Sequence, residues 1–147
     1  MLILTICQLG FAQMTTWTWD LYKMKFDAPA DFKISKNDKT IFSAGNGKLH
    51  LTIYPKNGDI SYDDMLSGLS TWANNQTLSY DSEPAYMEDL NRYWGCYIDG
   101  SASNGNPTTV MILKDPDYPE IYFYVWLQYQ SVYFDTAVEI IKSFTPY

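Results

Sequence analysis

Cysteine and histidine are scarce in this sequence, with two and one, respectively, among 147 residues. Cys7 lies in an apolar N-terminal segment. If that segment is removed, Cys96 is the only cysteine left, and one cysteine cannot form an intramolecular disulfide or a multi-cysteine metal site. Because Trp94, Cys96 and Ile98 alternate onto one face of a predicted strand, we expect Cys96 to fill the core. A single histidine also excludes a cluster of imidazole ligands, so the sequence predicts neither a metal site nor a cofactor.

Basic residues are also few, with 10 Lys and Arg against 17 Asp and Glu, and the formal net charge is −7. The imbalance is local. Residues 1–56 carry seven lysines and four acidic residues, a net charge of +3, whereas residues 57–147 carry a net charge of −10. A chain this acidic repels phosphate backbones, and no basic stripe compensates. The charge pattern therefore argues against a nucleic-acid partner.

Long hydrophobic runs are absent. The apolar run Leu2–Phe11 is too short to cross a bilayer, which needs about 20 residues, but it has the length of a signal-peptide core. Gly10 and Ala12 place small residues at the −3 and −1 positions of a cleavage site before Gln13. The sequence thus predicts a signal peptide over residues 1–12, an exported (periplasmic or extracellular) protein, and a single α+β domain over residues 13–147. There are two alternatives to a cleaved signal peptide. Cys7 is lipidated, or the segment forms an ordinary first strand or helix.

What the sequence does contain is apolar periodicity of two kinds. Gly45-Asn46-Gly47 separates strand-like segments at 40–44 and 48–54, and Asn-Gly favours the tight turn of a hairpin. Further strands are predicted at 31–35, 84–89, 92–99, 108–114 and 120–130. Stripes of three- and four-residue spacing predict helices from Ser61 to about Asn74 and from about Ser131 to Phe144. Short linkers imply antiparallel pairing. We therefore expect an α+β fold in which one antiparallel sheet is flanked by two main helices, an α/β/α sandwich.

Several core patterns carry a resemblance to a known family. They are Phe26-Asp-Ala-Pro29 leading into Phe32 and Ile34, the alternation of Leu49, Leu51 and Ile53, Ser61-Tyr-Asp-Asp64 at a helix start, and a closing Ile140-Ile-Lys-Ser-Phe144. In these features residues 20–147 resemble the Mog1/PsbP-like superfamily, including its small exported bacterial members. The resemblance implies an antiparallel sheet between helices, and proteins that bind or assemble other proteins instead of catalysing reactions. No residue role is carried over from the family.

The last predicted strand supplies the candidate binding residues. Its odd positions from Ile121 to Leu127 are apolar, while its even positions are Tyr122, Tyr124, Trp126 and Gln128. Tyr54 joins them if its strand is adjacent. Aromatic rings beside hydroxyl and amide groups suit a protein hot spot, a peptide or a glycan. The alternative is that a helix covers this face and the rings pack beneath it.

The chemistry-bearing residues do not form a recognisable catalytic pattern. His50 lies on the polar side of its strand and could act as a general base near neutral pH. Asp115, Asp117 and Glu120 share one turn, where a solvated acidic loop is favoured over a weak calcium site. We therefore predict an exported non-enzymatic binding or assembly domain. The alternative is a small extracytoplasmic hydrolase or lyase that uses His50.

Overall fold

The structure, a computed structural model, describes residues 13–88 and 90–147. The predicted signal peptide over residues 1–12 lies outside the described residues. Neither of the two α-helices in the described ranges has the length and hydrophobicity that a bilayer crossing requires. In chain order the elements are β1 (Met14–Trp19), β2 (Met24–Pro29), β3 (Lys33–Asp38), β4 (Ile41–Gly45), β5 (Leu49–Asn57), α1 (Met65–Asn75), β6 (Ala85–Met87), β7 (Trp94–Ser101), β8 (Pro107–Lys114), β9 (Ile121–Tyr129), α2 (Phe134–Lys142) and β10 (Thr145–Pro146).

Seven of the strands form one large antiparallel sheet in the order β3-β4-β5-β9-β8-β7-β6. Strand β9 lies between β5 and β8 and pairs with both along most of its length. This confirms the α+β fold class and the antiparallel pairing predicted from the short linkers.

The hairpin of β4 and β5 forms where the sequence predicts it. The Asn46 side-chain oxygen accepts hydrogen bonds from the backbone N–H groups of Lys48 (3.0 Å) and Leu49 (2.9 Å). Gly47 has φ +83°, a conformation that glycine adopts without steric cost. Strand β5 continues past its predicted end at residue 54. Pro55 is tolerated there because β4 pairs with β5 only as far as Ile53, so the missing N–H faces no neighbouring strand.

Helix α1 begins as the sequence predicts, after a short 3₁₀ turn. The Ser61 hydroxyl accepts a hydrogen bond from the backbone N–H of Asp64 at 3.2 Å, which satisfies one of the free amides at the helix start. The buried side of the helix packs on β7 and β8. The side chains of this contact are Met65, Leu69, Ala73, Cys96, Ile98, Val110 and Ile112.

The opposite face of the large sheet packs against α2 and against a second sheet, of three strands, in the order β1-β2-β10. Phe26 of β2 contacts Phe144 (ring centroids 5.3 Å apart) and Phe42 (5.6 Å). Together with Val125 and Leu127, these side chains are buried in one core. Both faces of the large sheet are therefore at least partly covered, by α1 on one side and by α2 with the small sheet on the other.

The small sheet is the feature that the sequence patterns miss. They predict a single pleated layer with two docked helices, whereas β1, β2 and β10 form a separate layer beside α2. Strand β10 has only two residues and β1 has only one buried side chain, so neither shows a clear period of two. Strand β2 has that period in Met24, Phe26 and Ala28, which are all buried.

Candidate functional site

Helix α1 covers only part of its face of the large sheet. It packs on β7 and β8, while the same face of β4, β5 and β9 extends beyond it. We call this uncovered part the open face and define it by Ser43, His50, Thr52, Tyr54, Trp126 and Gln128. Of the predicted binding residues, the open face contains Tyr54, Trp126 and Gln128, together with His50.

Strand register determines which of these residues are neighbours. Tyr54 lies directly opposite Tyr124, Thr52 opposite Trp126, and His50 opposite Gln128. Directly opposite side chains on one sheet face are about 5 Å apart at Cβ. Strands β5 and β9 are adjacent, so the condition on which Tyr54 joins the β9 row is met, and His50 lies beside the same row.

Trp72 of α1 forms the border of the open face. Its ring stacks on Tyr124, with centroids 4.7 Å apart and planes 13° apart, and meets Trp126 edge-on at 6.3 Å and Tyr54 at 5.9 Å. All four aromatic residues are half-buried. Burial raises the pKa of the Tyr124 and Tyr54 hydroxyls. The helix thus covers Tyr124 in the way that the alternative interpretation expects, while Tyr54 and Trp126 lie at the edge of that cover.

Tyr122, the first residue of the row, belongs to the covered side. It meets Tyr124 edge-on at 5.6 Å and packs against the side chains beneath α1. Gln128, at the other end of the row, is half-buried and lines a groove away from the helix. The row therefore passes from the covered part of the sheet to the uncovered part.

A cluster of hydroxyl groups surrounds His50. Its Nε2 lies 3.0 Å from the Ser43 Oγ, which is 3.4 Å from the Thr52 hydroxyl, and Ser35 donates a hydrogen bond to the Ser43 carbonyl at 3.2 Å. Ser43 and Thr52 are each only 5% exposed, so they form the floor of the open face, while His50 stands above it in contact with solvent. Partial burial of the ring lowers the pKa of His50 and favours the neutral imidazole.

The Ser43–His50 pair lacks the third group of a catalytic triad. Within residues 13–88 and 90–147 no carboxylate hydrogen-bonds to His50, and the Ser43 hydroxyl is buried below the histidine ring. An orienting carboxylate fixes the tautomer of the base in a serine hydrolase. The arrangement supplies hydrogen-bond donors and acceptors to a ligand, and one imidazole that can exchange a proton.

A groove lies at the end of the open face, beside the β4–β5 turn and the end of β9. It has a volume of about 330 Å³. Its polar lining consists of two lysines, one histidine and three amides, with one serine: Lys33, Lys48, His50, Asn106, Gln128, Gln130 and Ser35. The groove continues the hydrogen-bonding surface of His50 and Gln128.

The sequence also singles out Cys96 and an acidic turn. Core packing accounts for the cysteine, and ion pairs account for two of the acidic residues. Cys96 is 0% exposed, burial raises its pKa to about 12, and its Sγ contacts the Met65 carbonyl at 3.6 Å, so its prediction as a core residue is confirmed. Asp115 and Asp117 each lie 3.8 Å from the guanidinium of Arg92. In the part of the chain that the structure describes, no three metal-ligating side chains converge.

Sequence reasoning missed two contributors to the site. Trp72 is predicted only as part of the apolar stripe of its helix, and Ser43 is not singled out at all. The apolar stripe of a helix and the period of two of a strand show which side of the element is buried, but not which residues pack against that side. The neighbours of Trp72 and Ser43 are therefore known only once the strand order is known.

Solved structures of low sequence identity share the fold. Cyanobacterial PsbP (CyanoP) from Synechocystis matches with a TM-score of 0.64 and 8% identity, over 95% of this chain and 96% of that chain. The Ran-binding protein Mog1p from Saccharomyces cerevisiae matches with a TM-score of 0.59 and 5% identity, over 92% of this chain and 96% of that chain.

A crystal structure from Bacteroides thetaiotaomicron matches with a TM-score of 0.53 and 14% identity, over 85% of this chain. This chain spans only 45% of the length of that protein. No family model and no curated protein matches the sequence. At such identities the structural matches show the fold alone, and they confirm the fold that the resemblance predicted.

Proposed function

We propose that this chain, which has the Mog1/PsbP-like fold, is an exported, non-enzymatic binding or assembly module that uses the open face to contact its partner. The observation that carries the proposal is the incomplete cover of α1. It leaves Tyr54 and Trp126 only partly buried, near Gln128 and the exposed His50. Export is part of the proposal and rests on the signal-like pattern of residues 1–12.

The composition of the open face supports binding. Tryptophan and tyrosine are enriched among residues that dominate binding energies, because they offer a large rigid apolar area with a polar tip. Here they border hydrogen-bonding side chains instead of being scattered over the surface. One protein of similar fold is described as Ran-binding, which favours a binding role for this fold without indicating the partner.

Photocrosslinking tests the proposal because it captures a partner whose identity is still open. A photoreactive residue at Gln128 should crosslink the partner when the protein is expressed in its native host. The control places the same residue at Tyr118, which is 65% exposed and lies in the turn before β9, at the other end of that strand from Gln128. A crosslinked species at Gln128 that is missing at Tyr118 supports the proposal, and crosslinking at Tyr118 alone contradicts it.

A hydrolase or lyase that uses His50 is the second candidate function. The observation that favours it is the 3.0 Å contact between the His50 Nε2 and the Ser43 Oγ. A screen with chromogenic esters and polysaccharides should compare the wild type with His50→Ala and Ser43→Ala. Activity that both substitutions abolish, while both variants keep the wild-type melting temperature, would favour this candidate over the binding module.

A further inference from the structure

The groove at the end of the open face has an unusual charge for this protein. Of the residues that line it, Lys33 and Lys48 are cationic, His50 can become so, and none is acidic. The chain as a whole carries a formal charge of −7. Asp31, which accepts a hydrogen bond from Asn46 of the adjoining turn at 3.0 Å, does not line the groove. The local field therefore favours an anionic group, although the chain as a whole is negatively charged.

Glycine at position 45 lets the His50 ring lie close to the backbone of β4. A Cβ atom added to Gly45 would lie 3.0 Å from the His50 Nδ1 and 2.6 Å from the Leu49 carbonyl oxygen. Because Nε2 already contacts the Ser43 hydroxyl, Nδ1 is the nitrogen left for a ligand. When Ser43 donates to Nε2, the neutral imidazole carries its proton on Nδ1 and can donate it to an anion.

The surrounding groups fit a saccharide better than a peptide. The backbone groups of β4, β5 and β9 beneath the groove are paired with strands on both sides over most of their length, and the free strand edge belongs to β3. A peptide seated over His50 and Gln128 therefore has no strand to extend there. Hydroxyl groups of a sugar are instead recognised by side chains, and Asn106, Gln128 and Gln130 supply three amides. Trp126 lies two residues from Gln128 on the same strand face, roughly 7 Å away.

We propose that the groove binds the carboxylate of an acidic saccharide through Lys33, Lys48 and His50, while Trp126 and Tyr54 contact the adjoining sugar ring. This inference rests on the proposed function, since it specifies the ligand of the same open face. It predicts a preference for a charged ligand over a neutral one of the same shape.

Calorimetric titration of the full chain with trigalacturonate tests the inference. Its fully methyl-esterified form serves as the neutral counterpart, and triglutamate serves as an acidic peptide. We expect trigalacturonate to bind at least about tenfold more tightly than the ester, a difference of about 1.4 kcal/mol. The preference should shrink as ionic strength rises, because salt screens exposed charges.

Matched lysine variants locate the effect. The double variant Lys33→Gln/Lys48→Gln should remove the preference for the acid. The control Lys25→Gln/Lys39→Gln changes the net charge equally, at exposed positions outside the groove. It should leave the preference intact. An equal loss in both double variants would overturn the inference, because general charge would then suffice.

The titrations with the three ligands test this inference separately from the proposed function. Equal binding of the acid and its ester contradicts an anion site. Tighter binding of triglutamate contradicts a saccharide ligand, and no binding of any saccharide contradicts the inference as a whole. In each case the photocrosslinking result at Gln128 still decides independently whether the open face binds a partner.

Discussion

Replacing Trp72 by alanine should lower the free energy of unfolding by about 2 kcal/mol. Truncating a fully buried tryptophan costs about 3–5 kcal/mol, and Trp72 is only half-buried. Its contacts are nevertheless concentrated, because the ring stacks on Tyr124 and meets Tyr54 and Trp126. Through these contacts Trp72 joins α1 to the β5–β9 part of the sheet, so its loss should also expose more of the open face.

A double-mutant cycle in urea measures the Trp72 contact itself. Trp72→Ala and Tyr124→Ala, alone and together, should show a coupling of about 0.5–1.5 kcal/mol, the range of stacked aromatic pairs. Val132→Ala, in an exposed turn away from α1, provides the control pair with Trp72→Ala and should be additive. If the Trp72–Tyr124 pair is additive as well, the two rings do not join the helix to the sheet, and the reasoning about the border of the open face is refuted.

Three further predictions concern stability and reactivity. Gly100→Ala should destabilise the protein by about 2 kcal/mol, because the added Cβ would overlap a backbone carbonyl oxygen. Gly68→Ala should instead stabilise the protein by about 0.5 kcal/mol, since alanine favours the helix and its Cβ meets only the end of a flexible side chain. The pKa of Asp59 is lowered from its usual value of 3.8, mainly by a hydrogen bond from Lys114. The Asp59–Lys114 contact therefore stabilises the protein above about pH 4, and this stabilisation is lost as the pH falls further. Asp59→Asn should reduce this loss of stability in acid. Cys96, whose pKa burial raises to about 12, should react with a thiol reagent only when the protein unfolds.

Unfolding experiments and thiol labelling test these three predictions, and each experiment has an outcome that would contradict the prediction. Thermal and urea unfolding compare the two glycine variants, and equal effects would disprove the close approach at Gly100. Urea unfolding between pH 2 and pH 6 compares Asp59→Asn with the wild type, and identical slopes would show that the Lys114 contact does not form. Labelling is followed in a Cys7→Ser background, where rapid native-state reaction would place Cys96 outside the core.

Local signals in the sequence predict much of the fold. The turn at Gly45-Asn46-Gly47, the alternation along residues 121–127 and the stripe that includes Met65 and Leu69 each fix a conformation within a few residues. Such signals identify which side of an element is buried, because apolar spacing follows the period of the helix or strand. The position of β9 and the apolar face of α1 were therefore predictable.

Long-range neighbours were not predictable from the same signals. The sequence indicates that His50 and Gln128 both point away from the aliphatic core, but not that β5 and β9 are adjacent. Only the strand order places the two side chains opposite each other and leaves them beyond the reach of α1. The small sheet escaped prediction for a similar reason, because β10 is too short to show a period.

The central claim is that α1 covers the β7–β8 part of its sheet face and leaves the end of β5 and β9 around His50 and Gln128 open. Solvent paramagnetic relaxation enhancement in NMR tests this most directly, with a soluble gadolinium chelate as the probe. We expect strong broadening of the His50 ring and the Gln128 side-chain amide, and little broadening of the Ile98 and Ile112 methyl groups under the helix. Equal protection of all four side chains would contradict the account, because no open face would then exist.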